Sequence, residues 1–476
     1  MAKVKKAWFC NSCGNESPKW MGQCPACGEW NTMVEEIVSK SSPDNLSTSR
    51  MQSFLASAAN NKPQPLSNID SSAESRIILG GIEDFTVGKN AARDGKYSFG
   101  ELDRVLGGGI VKGSLVLIGG EPGIGKSTLS LQIPLQNRSV KTLYVSGEES
   151  AKQIKLRADR LGGAHNNCIV LAETSLENIL TQAKEVAPEL LIIDSIQTIY
   201  SGSIESSAGS VSQVRECAAS LLRYAKESNT PVILIGHITK DGTLAGPKVL
   251  EHIVDVVLQF EGDSRHSYRI LRSIKNRFGS TAEIAVYQMC SSGLEEILNP
   301  SQMFIPMHSE NLSGIAVAAM LDGTRPFLIE VQSLVSSAAY GTPQRSSTGF
   351  DTRRLNMLLA VLEKRVGFKL GQKDVFLNIA GGLKVSDPAC DLSIIAAILS
   401  SNFDVEISPK YAFAAEVGLS GEIRPVRDID KRIAEAAKLG FEKIFVSSFN
   451  KISSAFNGNL KVVQISNIQQ LVKEIF

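Results

Sequence analysis

The sequence lacks any apolar stretch approaching the roughly 20 uncharged residues that a membrane-spanning helix needs, so no membrane partner is expected of its 476 residues. It also lacks the apolar segment of a secretory signal, because Met-Ala-Lys-Val-Lys-Lys runs straight into a cysteine pair. The expected location is cytoplasmic. Net charge is nearly absent: 50 Lys and Arg against 49 Asp and Glu leave +1. With no overall field to steer a polyanion, nucleic-acid contact must come from local patches. A disulfide framework is missing too. Of 8 cysteines, Cys10, Cys13, Cys24 and Cys27 cluster, while Cys168, Cys217, Cys290 and Cys390 stand singly in apolar or helical stretches. Scattered cysteines of this kind are inert, small core residues.

What remains is the composition of a globular protein, 43% hydrophobic and 21% charged. The length exceeds one ordinary domain and fits two large domains with small attachments. Residues 1–35 read as a four-Cys zinc finger and 36–76 as a flexible linker. The linker, rich in Ser, Asn, Ala and Pro, carries too little apolar surface to offset the entropy of ordering. Over 77–297, β-branched runs at 115–119, 142–146, 168–171, 190–194 and 232–236 alternate with helical patterns. That alternation is the signature of a parallel α/β sheet. The pattern restarts after Asn299-Pro300, giving a second α/β or α+β domain over 298–476.

The cysteine cluster reads Cys10-x2-Cys13-x10-Cys24-x2-Cys27, with Gly14 and Gly28 letting the chain turn back toward a metal. Four thiolates at about 2.3 Å with no open position make a structural Zn²⁺ site, although iron is bound by similar knuckles. Exposed Trp20 and Trp30 beside it are read as packing residues, with partner docking as the alternative.

Directly after the first apolar run comes Gly120-x4-Gly125-Lys126-Ser127-Thr128, with Gly123 inside it, and a helical pattern follows. Glycines there let successive N–H groups converge on phosphates at a helix N-terminus. Lys126 is expected to reach the β- and γ-phosphates of ATP, and Ser127 to ligate Mg²⁺. Asp194, ending LLIID, suits the Mg²⁺ hydration shell. Glu148 and Glu149, after the second run (TLYVSGEES), are candidates for orienting the attacking water. Glu148 is the first choice, and either could instead favour a helix start.

These segments, with ELDRVLGGG (101–109), GEPGIGKST (120–128), VSGEES (145–150), LAGPKVLEHIVD (244–255) and KNRFG (275–279), resemble the bacterial RadA (Sms) family of recombination proteins. The resemblance implies a RecA-like parallel-sheet P-loop ATPase core between a zinc module and a Lon-protease-like α/β domain. It also implies a homo-oligomeric, hexameric ring like that of DnaB-type helicases, acting on single-stranded and branched DNA with a RecA-type recombinase as partner. Lys275 and Arg277, after a strand expected at 266–271, would act as trans fingers on a neighbour's γ-phosphate, or else are solvated cations on a turn; His237 would sense that phosphate, or else is a satisfied core histidine. The loops 201–211 and 240–248, Gly/Ser-rich and long enough to be mobile, are candidates for holding single-stranded DNA through amides, Lys240 and Lys248. The segment 77–96 departs from the family pattern and leaves an insertion open there.

Beyond residue 300 the runs FDTRRLNMLLAVLEKR, NIAGGLKVSDPACDLSIIAAILSS and AEVGLSGEIRPVRDIDKRIAEAAKLGF are similar to Lon. The Ser position of Lon falls on Ala389, which has nothing to attack with, leaving Cys390 or Ser386 with Lys431 as a residual pairing. No peptidase is expected. Arg345, Arg353, Arg354, Lys364, Arg365 and Lys369 form a basic stretch that either binds duplex DNA or is solvated surface. The expected function is a DNA-dependent ATPase motor of recombination and repair. Its rivals are an ATP-dependent protease, a KaiC-like regulatory ATPase and a non-hydrolysing scaffold.

Overall fold

Apolar runs without polar alternation must be covered on both faces, which is the environment of a central parallel strand. In the computed structural model these runs form one sheet. The structure describes residues 5–10, 15–38, 76–79, 100–237, 247–262, 268–305, 312–338, 343–453 and 460–476. The expected linker at 39–75, most of the segment 77–96, and Cys13 with Gly14 lie outside the described residues. The chain divides into two compact units, Met1–Ile297 and Leu298–Phe476.

At the start of the first unit, β1 (Lys5–Cys10) pairs antiparallel with β2 (Glu16–Ser17) and β3 (Met33–Val38). Its buried core is small: Cys10, Cys24 and Met33, with Trp8 against them. Next, β4 (Arg76–Ile77) pairs with β5 (Ile110–Val111). Leu79 N–H donates to Asp103 and Arg76 to the Phe278 carbonyl, so the 76–79 segment is held to residues 103–278 rather than to the ribbon.

The main sheet has nine strands. Six are β6 (Leu115–Gly120), β7 (Thr142–Ser146), β8 (Cys168–Ala172), β9 (Leu190–Asp194), β10 (Val232–His237) and β11 (Val256–Glu261). The other three are β12 (Tyr268–Asn276), β13 (Ile284–Cys290) and β14 (Gly293–Glu296). Their spatial order is β14-β13-β12-β11-β6-β10-β9-β7-β8. From β11 to β8 all neighbours are parallel, and β12 to β14 extend the sheet antiparallel. β12 runs through Lys275 to Asn276, longer than the expected 266–271, because antiparallel pairing with β11 continues across a bulge at Val257/Leu258.

Register sets the site. Gly119 lies opposite Gly236, Ile235 opposite Asp194, and Asp194 opposite Ser146. The four parallel strands therefore end on one line, at the carboxyl edge where open α/β sheets bind ligands.

The second unit holds β15 (Ile315–Asp322), β16 (Arg325–Ser337), β17 (Arg345–Thr348), β18 (Lys373–Ile379), β19 (Tyr411–Ala414), β22 (Lys443–Ser447) and β23 (Lys461–Ile465). They are ordered β17-β18-β16-β15-β19-β22-β23, with β20 (Glu416–Val417) and β21 (Ile423–Arg424) as a separate hairpin. Among the apolar side chains Arg432 is fully buried. Its Nη1 donates to Asp387 Oδ2 at 2.6 Å and to the Ala319 carbonyl at 2.7 Å, and its Nε donates to the Arg427 carbonyl at 3.2 Å. Arg432→Ala leaves the Asp387 carboxylate without its ion partner, and removing one half of a buried pair costs about 3–5 kcal/mol. Urea unfolding of the full-length chain is expected to show an earlier transition for this variant. Asp387→Asn, which keeps an oxygen acceptor, is expected to lose less.

Candidate nucleotide site and metal centre

The helix Lys126–Gln136 starts at Gly125, whose φ of 116° only glycine adopts readily, and no side chain caps it. A Cβ on Gly125 would also come within 2.9 Å of Met289 Cε. Gly123 has φ 75° and open space around it, so backbone conformation is its requirement. First-turn amides of this helix therefore stay available to an anion rather than to a cap.

Lys126 folds back over the loop, its ammonium donating to the carbonyls of Gly120 and Glu121, both at 2.9 Å. The side chain is 3% exposed. Burial lowers its pKa to about 8, against the upward pull of Asp194 and Glu148. Two carbonyls are weak compensation for a buried cation, whereas a triphosphate is strong compensation. Gly120, Gly123, Gly125, Lys126, Ser127 and the half-buried Thr128 thus fit a nucleotide phosphate chain.

Asp194 ends β9 beside the loop. It accepts from the Ser127 hydroxyl at Oδ1 (3.1 Å) and from the Tyr144 phenol at Oδ2 (2.5 Å). Burial, then Asp194 itself, push the Tyr144 phenol well above its ordinary pKa, so it stays an O–H donor. Ser127 with Asp194 fits Mg²⁺: a hydroxyl and a carboxylate oxygen, hard ligands, stand at hydrogen-bond distance where one water-bearing ion could join them.

The two neighbouring acids separate. Glu148 Oε1 accepts from the Ser195 hydroxyl at 2.6 Å and lies 3.3 Å from His237 Nε2, at the end of β10. Glu149 Oε2 pairs with Arg157 at 2.7 Å. Their turn is held by the buried Ser146 hydroxyl, which accepts from both amides. Ser150 then caps the next helix in a capping box with Gln153. Sequence reasoning missed Tyr144, Ser146, Arg157 and Ser195. Only Ser195, adjacent to Asp194, carried a local signal.

Lys275 and Arg277 converge on one segment of their own chain. Lys275 donates to the Val254 carbonyl at 2.8 Å and to that of Glu251, and Arg277 pairs with the buried Asp255 at 3.1 Å. The loop 201–210 is braced rather than loose. Gln213 bonds Ser201, Ile204 and Ser206, and Glu177 accepts from the Ser201 hydroxyl and the Gly202 amide. The loop 240–248 falls mostly outside the described residues.

In the cysteine cluster, the ligand atoms of Cys10, Cys24 and Cys27 all lie within 4.8 Å of one another, and Cys10 Sγ is 3.6 Å from Cys27 Sγ. Converging sulfurs without the geometry of a disulfide fit a thiolate metal centre, and Zn²⁺ suits them. Trp20 and Trp30 are exposed, at 52% and 69%, with both indole rings beside Gly22, where a Cβ would lie 3.6 and 3.8 Å from them.

In the second unit Ala389 and Cys390 are fully buried, and burial pushes the Cys390 thiol far above its usual range. Lys431 is solvent-facing, 3.5 Å from Asp428. A cavity of about 500 Å³ is lined by residues including Ser386, Asp387, Glu416 and Arg427. In the basic stretch, Arg354 is committed to Asp391 and Glu416, unlike the free cation expected there.

A phosphate loop on the central strand of a RecA-like sheet, with Asp194 ending β9 and Glu148 following β7 along the same edge, defines a P-loop ATPase domain. Three family models match: an AAA domain over residues 89–243, a rubredoxin metal binding domain over 8–35, and subunit ChlI of Mg-chelatase over 342–450. The chain is 47% identical over 476 residues to DNA repair protein RadA of Bacillus subtilis, covering 99% of each. It is 46% identical to that of Halalkalibacterium halodurans, again over 99% of each, and 45% to that of Listeria monocytogenes over 100% of this chain and 99% of the relative. A solved RadB recombinase aligns at 23% identity over 41% of this chain and 96% of its own, with a TM-score of 0.34, too low to bear on the fold. The chain belongs to the DNA repair protein RadA family. No helix among the described residues is long and apolar enough to cross a membrane.

Full-length protein is expected to carry about one zinc per chain by elemental analysis, falling sharply in Cys24→Ser. Iron with visible thiolate absorption would instead identify a rubredoxin-type centre.

Proposed function

We propose that the chain is a DNA-dependent ATPase of homologous recombination and repair, a ring motor that moves on single-stranded DNA and migrates branches in recombination intermediates. The observation that carries the chemistry is the convergence of Lys126, Ser127, Asp194 and Glu148 at one sheet edge. The full-length kinship with RadA supports the DNA substrate and a RecA-type recombinase as partner.

In this reading ATP occupies the uncapped amides, and the Lys126 ammonium exchanges two carbonyls for phosphate oxygens. Glu148 accepts a proton from the attacking water as its oxygen bonds to the γ-phosphorus and the bond to ADP breaks. Ser195 and His237 hold Glu148 in place. Mg²⁺, when bound, neutralises charge on the phosphate oxygens, with Ser127 and Asp194 as its holders. Glu149, engaged by Arg157, is the less available of the two acids. Lys275 and Arg277 would reach a neighbour's γ-phosphate after releasing the carbonyls and Asp255 that occupy them here.

Burial of Ala389 and Cys390 supports a second unit without peptidase chemistry, so casein is expected to remain intact. The single phosphate loop argues against a KaiC-like double core.

ATP turnover is expected to rise on adding single-stranded DNA at fixed salt. Lys126→Ala is expected to lose nucleotide binding. Glu148→Gln is expected to keep binding while turnover falls about 100-fold or more, and Glu149→Gln to fall less. Equal losses in the two glutamate variants, or turnover indifferent to DNA, would count against this assignment.

A further inference from the structure

We infer that Tyr144 and Arg157 form a brace that fixes the Asp194 carboxylate, making both of them positioning residues for the metal–nucleotide complex. The inference rests on the ATPase reading and adds residues that the phosphate loop itself does not contain.

An aspartate at a strand end can rotate about its side-chain bonds, and a wrong rotamer would turn its oxygens away from Ser127. Here the two oxygens have different partners. Oδ1 accepts from the Ser127 hydroxyl at 3.1 Å, while Oδ2 accepts from the Tyr144 hydroxyl at 2.5 Å. Tyr144 has no exposed surface and lies in β7, with β8 and β9 on either side. Neither water nor a rotamer change can readily replace its hydroxyl. Arg157, on the helix Ala151–Arg160, brings one guanidinium nitrogen to 2.7 Å from Glu149 Oε2, 3.5 Å from the Tyr144 hydroxyl and 4.0 Å from Asp194 Oδ2. Glu149 draws Arg157 in as an ion pair, Arg157 lies against the phenol, and the phenol pins the carboxylate. With Oδ2 held from behind, Oδ1 is left facing Ser127.

Tyr144→Phe removes one oxygen atom and keeps the ring, so the core stays filled. The test measures binding of a fluorescent ATP analogue to the full-length protein while Mg²⁺ is titrated from chelated to saturating. A second readout is the Mn²⁺ electron paramagnetic resonance signal of the complex. Losing one hydrogen bond to a charged group is expected to raise the Mg²⁺ midpoint by about tenfold. Affinity in the presence of chelator should stay unchanged. Arg157→Gln is read in the same assay and is expected to shift the midpoint in the same direction. A merely structural role would weaken binding equally with and without the metal. Unchanged Mg²⁺ midpoints in both variants, or equal losses under both conditions, overturn the brace while leaving the ATPase reading intact. A wild-type protein that binds no nucleotide at all sinks both.

Discussion

Everything at the nucleotide site depends on a buried cation that has too few partners of its own. Lys126 is taken out of water and given two carbonyls, and burial pulls its pKa down to about 8. The cost of dehydrating an ammonium group is recovered only by strong charge compensation. The surrounding acids supply some of it through space, and the glycine loop leaves room for an anion to supply the rest. A loop stabilised by its own cap or ion pair would have less to gain from a ligand.

The parallel sheet makes this arrangement possible, because each strand ends at the same edge and delivers one function there. β6 ends in the loop, β7 leads through Gly147 to the paired acids, β9 ends in Asp194 and β10 in His237. A shift of register in any of them would move its contribution by about 3.3 Å, more than a hydrogen bond tolerates. The continuous apolar strands bury both faces and so hold that register without help from the site itself.

Most of this was legible in the residues. The five apolar runs, the glycine spacing and the acid at the end of LLIID are local patterns, and each reports its own environment. Tyr144 was not legible, since a tyrosine within TLYVS reads as a core aromatic until pairing with β9 brings its hydroxyl to Asp194. Arg157 depends likewise on how a helix packs. The length of β12 was missed because its last residues are polar and carry no apolar run, although β11 provides them with pairing. Trp20 and Trp30 stay exposed, and among the described residues the ribbon buries only Phe9, Cys10, Cys24 and Met33 as apolar side chains. So small a module offers two indoles little to pack against, and the metal cluster takes the place of apolar volume.

The Arg354–Asp391 pair has a consequence for any contact between the second unit and a polyanion. Asp391 is almost completely buried and also accepts from the Val417 amide. Freeing Arg354 would therefore strand a carboxylate inside the protein. Each cation that neutralises a phosphate of duplex DNA releases condensed counterions and steepens the logarithmic salt dependence by about 0.9. Arg354 cannot contribute such an increment without breaking its own domain, so the counterion-release capacity of this basic stretch is smaller than its arginines and lysines imply.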